Sequence, residues 1–269
     1  MSLVDKNKEA KLEELLRRAG DILLDYWPGG SGALKSRLES FQKSDASIVT
    51  TADLEVNALL SKGLSELFPG LEIMSEEMPE THELRNRSSF CILDPLDGTK
   101  HFAAGASNFS ILLAFVEDGN LNYGAMYMPA QGDYLCAAKG RGCLFNGHNM
   151  RVSEAETPRP SSIFIEHFDA APSLFLTQEK LDSSEAIKKI CSAELDGVVI
   201  RLRKHKTWDI AALIPLVEES GGRISDEHGA MPYFESSEPG FAYLLVSNGQ
   251  IHDFLLERIV QKKNGEAPK

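Results

Sequence analysis

The chain has 269 residues, of which 42% are hydrophobic and 25% are charged, as in an ordinary globular protein. Its formal net charge of −12 argues against a general nucleic-acid binder, because affinity for a phosphate backbone comes from a positive surface. Four cysteines without C-x-x-C spacing favour reduced structural thiols over a zinc site or a disulfide framework. The first residues lack the apolar core of a signal peptide, and no run reaches membrane-spanning length, so we expect a cytoplasmic protein without membrane contact.

The first half of the chain predicts helices followed by strands. Leucines at helical spacing predict an amphipathic helix over residues 8–24 and a second one after Asp53. Residues 71–75 indicate a short strand, and residues 78–89 a polar, irregular loop. Three β-rich runs then predict an antiparallel meander, over residues 108–116, 121–128 and 133–138.

The composition shifts to charge and proline around residues 155–160, which predicts a boundary between domains 1–155 and 156–269. The second domain alternates strands and helices, so we expect an α/β half packed beside an α+β half, with a frayed tail at the end. Its predicted strands are residues 161–166, 197–202 and 241–246, and its predicted helices are 183–194, 209–220 and 251–260.

Residues 90–102 carry the clearest chemical signal. An apolar run ends at two carboxylates, Asp94 and Asp97, and Pro95 between them argues against a continuing central strand. Gly98 permits an unusual backbone turn, and Thr99 can open a helix whose free N–H groups point back at whatever the acids hold. Taken alone, such a stretch is more often a capped turn, because Asp, Pro and Gly are common turn residues.

Two further acidic clusters favour a functional interpretation: Glu76-Glu77 after an apolar strand, and Trp208-Asp209 before an apolar run that ends at Gly221-Gly222. Together the three segments resemble the inositol monophosphatase superfamily of metal-dependent, lithium-sensitive phosphatases. Its D-P-[IL]-D-G-T-x-x-F block is matched in full by residues 94–102, and the resemblance covers about residues 43–222. It implies a layered αβαβα sandwich of the inositol monophosphatase and fructose-1,6-bisphosphatase type.

The resemblance also implies a metal site. Asp94 would bridge two metals, Glu76 and the carbonyl of Leu96 would complete one of them, and Asp97 with Asp209 would hold the other. Oxygen ligands without clustered His or Cys favour Mg²⁺ over zinc, and we expect two or three ions per site. An acidic protein that binds an anionic ester needs such cations to reverse the local charge.

By the same resemblance, the reaction is an in-line attack of water without a phosphoenzyme. Thr99, with Asp53 or Glu76, would orient this water and take up its proton, while the amides of Gly98 and Thr99 would hold the phosphoryl oxygens. The spacing of Thr50 and Asp53 equally suits a helix cap, and the residues alone leave both roles open.

The substrate prediction depends on fewer residues. Lys43-Ser44-Asp45, Ser75 and Lys100 resemble the branch that removes the 3′-phosphate from adenosine 3′,5′-bisphosphate, and Arg201 stands where nucleotidases carry an arginine. The basic run that starts at Arg201 would suit a second substrate phosphate, although a solvated strand end explains it equally well. The phenylalanine-glycine-proline-threonine stretch of nucleotidases is missing.

Two alternatives therefore stay open. One is a phosphatase for inositol phosphate or another small sugar or alcohol phosphate. The other is a catalytically dead module that binds metal or nucleotide, which would lack a metal ligand or the water-orienting threonine, whereas this sequence fills each of those positions. The expected partner is a small phosphorylated molecule rather than an extended nucleic acid, with a homodimer left open.

Overall fold

The computed structural model describes residues 3–43, 46–159, 162–165, 181–202, 205–232 and 241–263. Several predicted features lie partly outside these ranges, at residues 44 and 45 of the motif that starts at Lys43, residues 161 and 166 of the predicted strand 161–166, residues 203 and 204 of the basic run, and the tail from residue 264. Within the described ranges, no helix is both long and apolar enough to cross a membrane.

Two long helices form the first layer. Helix α1 (Lys6–Tyr26) starts at Asp5, whose side chain accepts the N–H of Lys8 at 2.9 Å, and it confirms the predicted helix. Helix α2 (Thr51–Leu67) packs against it through Val56, Leu60 and Leu64. The short hairpin of β1 (Ser40–Gln42) and β2 (Ile48–Thr50) leads into α2.

The second layer is a seven-stranded sheet whose strands lie in chain order. Its first strand, β3, runs parallel to β4, and every later neighbour is antiparallel, so the predicted meander is confirmed. Its strands are β3 (Ile73–Ser75), β4 (Phe90–Asp97), β5 (Ser110–Glu117), β6 (Asn120–Met128), β7 (Asp133–Ala138), β8 (Gly142–Phe145) and β9 (His148–Met150).

Both faces of this sheet are buried. Because side chains alternate along a strand, Cys91 and Leu93 of β4 pack toward α1 and α2, whereas Phe90 and Ile92 pack toward the helices on the opposite side. The middle layer consists of those helices: α4 (Ser183–Cys191), α5 (Thr207–Ile210) and α6 (Leu213–Glu219). The short helix α3 (Thr99–Ala103) follows β4.

The last two layers are a four-stranded sheet and a helix. The sheet has the order β10 (Ile163–Ile165), β11 (Gly197–Arg201), β13 (Tyr243–Ser247) and β12 (Arg223–Asp226). On its outer face, Val199 and Leu245 pack against Leu255 of α7 (His252–Lys263). The five layers form the αβαβα sandwich that the sequence predicted.

The predictions were wrong in several local details. Strand β4 continues through Pro95 to Asp97, because its register with β5 shifts between Asp94 and Asp97, and a bulge there requires no hydrogen bond from the proline. The predicted helix over residues 209–220 is split into α5 and α6, since Pro215 has no N–H to offer the carbonyl of Ala211.

Two further differences concern short elements. Residues 78–89, predicted as an irregular loop, contain a 3₁₀ helix at Pro79–Asn86, and another such helix spans Lys35–Arg37. Five strands of only three or four residues each were not predicted: β1, β2, β8, β9 and β12. Strands that short show too little alternation to be recognised by hydrophobic periodicity.

Candidate metal centre

Three distant segments bring acids together at the end of strand β4. Strands β3 and β4 are parallel, and Ser75 at the end of β3 is paired with Leu93, so Glu76 follows its strand at the level of Asp94 in β4. The N–H of Glu76 donates to the carbonyl of Leu93 at 3.1 Å, which fixes this arrangement. Helix α5 contacts β4 and carries Asp209 to the same place.

The result is a group that we call the carboxylate cluster: Glu76, Asp94 and Asp209. One carboxylate oxygen from each lies within 4.8 Å of the others. The backbone N–H of Lys206 donates to Oδ2 of Asp209 at 2.7 Å and orients that side chain. The cluster offers only oxygen ligands, which are the donors that hard divalent cations prefer.

Asp94 provides the strongest sign that a cation belongs here. Its side chain is 1% exposed, and its Oδ1 accepts the N–H of Leu96 at 3.0 Å. Its Oδ2 is buried and has no hydrogen-bond partner among the residues that the structure describes. Because a buried polar atom without a partner costs free energy, a cation at this oxygen would remove the deficit.

The electrostatics of the cluster point the same way. Burial raises the pKa of Asp94 well above its ordinary value, and the charges of Glu76, Asp97 and Asp209 raise it further. Burial, followed by the charges of Asp97 and Glu76, likewise raises the pKa of Asp209. Acids that destabilise one another in their charged form are stabilised by a bound cation, so the residues present fit a divalent metal.

Asp97 lies beside the carboxylate cluster, outside the 4.8 Å group. The hydroxyls of Ser110 and Ser184 donate to its Oδ2 at 3.3 and 3.2 Å. Burial, with the nearby charge of Asp182, raises the pKa of Asp97 to about 7. Its predicted role as a ligand of a second metal is consistent with this displaced position and stays a prediction.

The predicted water-orienting residues are in contact with each other. Oγ1 of Thr99 lies 3.1 Å from Oδ1 of Asp53 and 3.0 Å from the carbonyl oxygen of Leu96, and its single proton can serve only one of them at a time. Asp53 also caps α2, since its Oδ2 accepts the N–H of Thr50 at 2.8 Å. The cap and the contact with Thr99 therefore coexist, on different oxygens of one carboxylate.

Asp53 is 1% exposed. Burial raises the pKa of Asp53 to about 6, although hydrogen bonds from Thr50 and Thr99 act to lower it. A carboxylate whose pKa lies near neutrality is suited to exchange protons in that pH range.

Gly98 supplies the turn between β4 and α3. Its φ is +82°, and a Cβ at this position would lie 2.9 Å from the carbonyl oxygen of Asn108, so a larger residue would be strained. The turn places Thr99 at the start of α3, next to the acids of β4. The expected contact between the amides of Gly98 and Thr99 and a phosphoryl group stays a prediction.

Lys43 is a charged neighbour of the cluster whose contact the sequence did not reveal. Its Nζ lies 2.8 Å from Oε1 of Glu76 and 2.7 Å from Oε1 of Glu77. Burial alone would lower the pKa of Lys43, but the two carboxylates raise it above its ordinary value. Lys43 is thus a cation already present at the edge of the site.

Arg201, the predicted substrate contact, ends β11 opposite Tyr243 and is partly exposed. Its role toward a substrate stays a prediction. Two serines without a predicted role, Ser110 of β5 and Ser184 of α4, meet at Asp97 with their hydroxyl oxygens 2.9 Å apart. Isolated serines in an apolar strand and at a helix start give no local signal of such a meeting.

Comparison with known proteins agrees with this geometry. The profile of the inositol monophosphatase family matches residues 5–264. A fructose-1,6-bisphosphatase/inositol-1-monophosphatase of Thermotoga maritima is 31% identical, over 89% of this chain and 91% of that protein. A histidinol-phosphatase of Chlorobaculum parvum is 30% identical, over 80% and 84% of the two chains.

Another relative carries the name that the substrate prediction favours. The 3′(2′),5′-bisphosphate nucleotidase CysQ of Shigella flexneri is 26% identical, over 80% of this chain and 89% of that protein. Among solved structures, an inositol monophosphatase of Thermotoga maritima superposes with a TM-score of 0.77 at 27% identity, covering 95% and 99% of the two chains. The chain belongs to the inositol monophosphatase family, whose members are metal-dependent phosphatases of small phosphorylated substrates.

Proposed function

We propose that the protein is a Mg²⁺-dependent phosphomonoesterase that hydrolyses its substrate by in-line attack of water. The observation that carries this proposal is the buried Oδ2 of Asp94, which has no hydrogen-bond partner in the described chain and lies among acids. A structural carboxylate would normally have its hydrogen bonds satisfied, so the unpaired oxygen favours a bound cation.

In this proposal Asp94 would bridge two Mg²⁺ ions. Glu76 and the carbonyl of Leu96 would complete the site of one ion, and Asp97 with Asp209 would hold the other. Two bound cations would supply the positive charge that activates water and neutralises the phosphoryl and leaving oxygens. The number of ions, two or three, belongs to the proposal as well.

The side chains of Thr99 and Asp53 would handle the proton. The hydroxyl of Thr99 contacts Asp53, and a water held by that hydroxyl would pass its proton toward the carboxylate. Burial raises the pKa of Asp53 to about 6, which suits a proton acceptor near neutral pH. The amides of Gly98 and Thr99 would hold the phosphoryl oxygens in line for attack.

For the substrate, we propose an adenosine 3′(2′),5′-bisphosphate. The support comes from Lys43, Ser75 and Lys100, from Arg201 before the Asp209 segment, and from the relative named CysQ. The basic residues next to Arg201 would offset the charge of a second phosphate. In this proposal, domain 1–155 binds the metals and domain 156–269 selects the substrate.

An inositol, sugar or alcohol phosphate is the second candidate. It is favoured by the Thermotoga maritima relative, named a fructose-1,6-bisphosphatase/inositol-1-monophosphatase, which shares more identity with this chain than the CysQ protein does. We also propose a cytoplasmic location, because all four cysteines are free, as expected in a reducing compartment. The proposal leaves a homodimer open.

Phosphate release from a panel of esters tests both the proposed phosphatase activity and the proposed substrate. The panel contains adenosine 3′,5′-bisphosphate, inositol 1-phosphate, fructose 1,6-bisphosphate and histidinol phosphate, each with Mg²⁺ and with a chelator. We expect Mg²⁺-dependent release with the highest kcat/KM for the nucleotide. Equal or higher kcat/KM for another ester would refute the substrate proposal, and release from none of them would refute the phosphatase proposal.

A further inference from the structure

His82 connects the segment that carries Glu76 with the segment that carries Asp209. It lies in the 3₁₀ helix Pro79–Asn86, and its Nε2 is 2.9 Å from the carbonyl oxygen of Ser75. Its ring packs on the ring of Trp208 with centroids 4.5 Å apart and an angle of 38° between the planes. One side chain thus contacts the residue before each of two carboxylates of the cluster.

The contact with Ser75 fixes the orientation of the imidazole. A carbonyl oxygen only accepts hydrogen bonds, so Nε2 of His82 carries a proton and donates it. The same carbonyl accepts the N–H of Met78 at 3.1 Å. The hydroxyl of Ser75 donates to Oδ1 of Asn57 on α2 at 2.7 Å, and its N–H donates to Oγ1 of Thr81 at 3.1 Å.

Each polar group of Ser75, its N–H, carbonyl and hydroxyl, therefore makes a hydrogen bond, and the residue is 0% exposed. The Asp209 segment has a matching attachment, because Trp208 is 6% exposed and belongs to the core beneath the cluster. Glu76 and Asp209 follow these two anchored residues directly in the chain. The His82 side chain contacts both anchors, Ser75 through a hydrogen bond and Trp208 through its ring.

We propose that His82 is a positioning residue that sets the spacing between Glu76 and Asp209 and thereby the metal affinity of the carboxylate cluster. This inference rests on the proposed function, because it assumes that the cluster binds Mg²⁺. The physical reason is repulsion: without metal, charged carboxylates within 4.8 Å of one another repel, and the stacking of His82 on Trp208 adds a contact that opposes separation of the two segments. A preformed site saves the free energy of bringing the ligands together when the ion binds.

A purely structural role would predict a different outcome. If His82 only filled space between the loop and α5, its replacement would lower stability and leave Mg²⁺ affinity intact in the folded protein. Stability and Mg²⁺ affinity, measured on the same variant, therefore distinguish a structural role of His82 from a positioning role. Residues that orient metal ligands from outside the coordination shell typically change metal affinity by about 10- to 100-fold when they are replaced.

The experiment measures Mg²⁺ binding by calorimetry on metal-stripped protein for His82→Ala, His82→Phe and the control Glu83→Ala. Glu83 is the exposed neighbour of His82 in the same 3₁₀ helix. We expect His82→Ala to raise the dissociation constant for Mg²⁺ about tenfold. We expect His82→Phe, which keeps the stacked ring and loses the donor, to raise this dissociation constant by a smaller factor than His82→Ala does, and Glu83→Ala to leave it unchanged.

Rescue by metal provides a second readout. High Mg²⁺ should restore the phosphatase rate of His82→Ala, because the catalytic groups themselves are intact. If His82→Ala does not fold, His82→Phe against Glu83→Ala decides the question.

Mg²⁺ affinity in the folded His82 variants equal to that of Glu83→Ala would overturn the positioning role and leave the proposed function standing. If the wild-type protein neither binds Mg²⁺ nor hydrolyses any ester of the panel, both proposals fail together.

Discussion

Asp94 and Asp196 are both almost completely buried, at 1% and 0% exposure, yet their surroundings are opposite. Arg159 donates two hydrogen bonds to Asp196, at 2.9 and 2.8 Å, and the hydroxyls of Ser153 and Ser162 donate two more. Burial alone would raise the pKa of Asp196, but these donors hold it below its ordinary value. Asp94 instead has one backbone donor and acidic neighbours.

The comparison separates two uses of a buried carboxylate. Around Asp196 the chain supplies every partner. The hydrogen bond from Arg159 to Asp196 and that from Asn248 to Ser153 connect the segment after β9 to the four-stranded sheet. Around Asp94 the described part of the chain supplies acids and leaves one carboxylate oxygen without a hydrogen-bond partner, which favours a cation bound from solution. The first arrangement is structural, and the second is the arrangement we expect of a metal ligand.

Asp94→Asn should have the largest effect. We expect phosphatase activity to fall by at least about 10³-fold, because one charge is lost from the centre that stabilises the transition state. Stability in the presence of a chelator should not fall, since the substitution removes repulsion within the carboxylate cluster. Turnover with Mg²⁺ and thermal unfolding with a chelator measure the two effects, and retained Mg²⁺-dependent turnover would contradict the proposed bridge.

Thr99→Ala should lower kcat by about 10²-fold, the usual contribution of a positioned proton-transfer group. The substitution removes the hydroxyl that contacts Asp53 and leaves the carboxylate cluster in place. Thr99→Ser is the matched control, because it keeps the hydroxyl and should retain most of the activity. Equal kcat for the Ala and Ser variants would show that this hydroxyl has no part in the reaction.

Asp196→Ala should show the opposite behaviour to Asp94→Asn. We expect the free energy of unfolding to fall by about 3 kcal/mol, because Ser153 and Ser162 lose their acceptor while the half-exposed guanidinium of Arg159 returns to water. Mg²⁺ affinity should stay unchanged. Urea unfolding measures the stability and calorimetry the Mg²⁺ affinity, with Glu194→Ala, which changes an exposed acid nearby, as the control. Weakened Mg²⁺ binding by folded Asp196→Ala would contradict a purely structural role of Asp196.

His252 extends the comparison to a buried base with neutral partners. Its ring nitrogens lie 2.8 Å from the Ser225 hydroxyl and 3.0 Å from the Ser247 hydroxyl, and it is 0% exposed. Burial, with a smaller contribution from Arg223 and against the charge of Asp253, lowers the pKa of His252 to about 4. As the pH falls below about 6.5, the unfolded chain therefore binds a proton that the folded protein does not.

The stability that depends on neutral His252 should be complete above about pH 6.5 and should decline towards pH 4, with a slope of at most about 1.4 kcal/mol per pH unit. Urea unfolding at a series of pH values measures it. His252→Gln removes the titrating group and should flatten this part of the profile. An unchanged profile in the Gln variant would assign the pH dependence to other groups.

The sequence by itself determined the elements with strong local signals. Helix α1 follows from its apolar stripe, the meander from its β-rich runs, and the block at residues 94–102 identified the family and hence the expected ligands. The prediction at Pro95 was wrong, because the bulge that accommodates this proline depends on the register with β5, and a local rule about proline contains no information on that register.

Only the tertiary structure decided which side chains meet. The contacts of Lys43 with Glu76, of Ser184 with Asp97, and of His82 with Trp208 join residues far apart in the chain. Hydrophobic periodicity reports the face on which a residue lies and carries no information about its distant partner. Within the described residues, Oδ2 of Asp94 has no hydrogen-bond partner, and the sequence could not show this because it depends on every group packed around that atom.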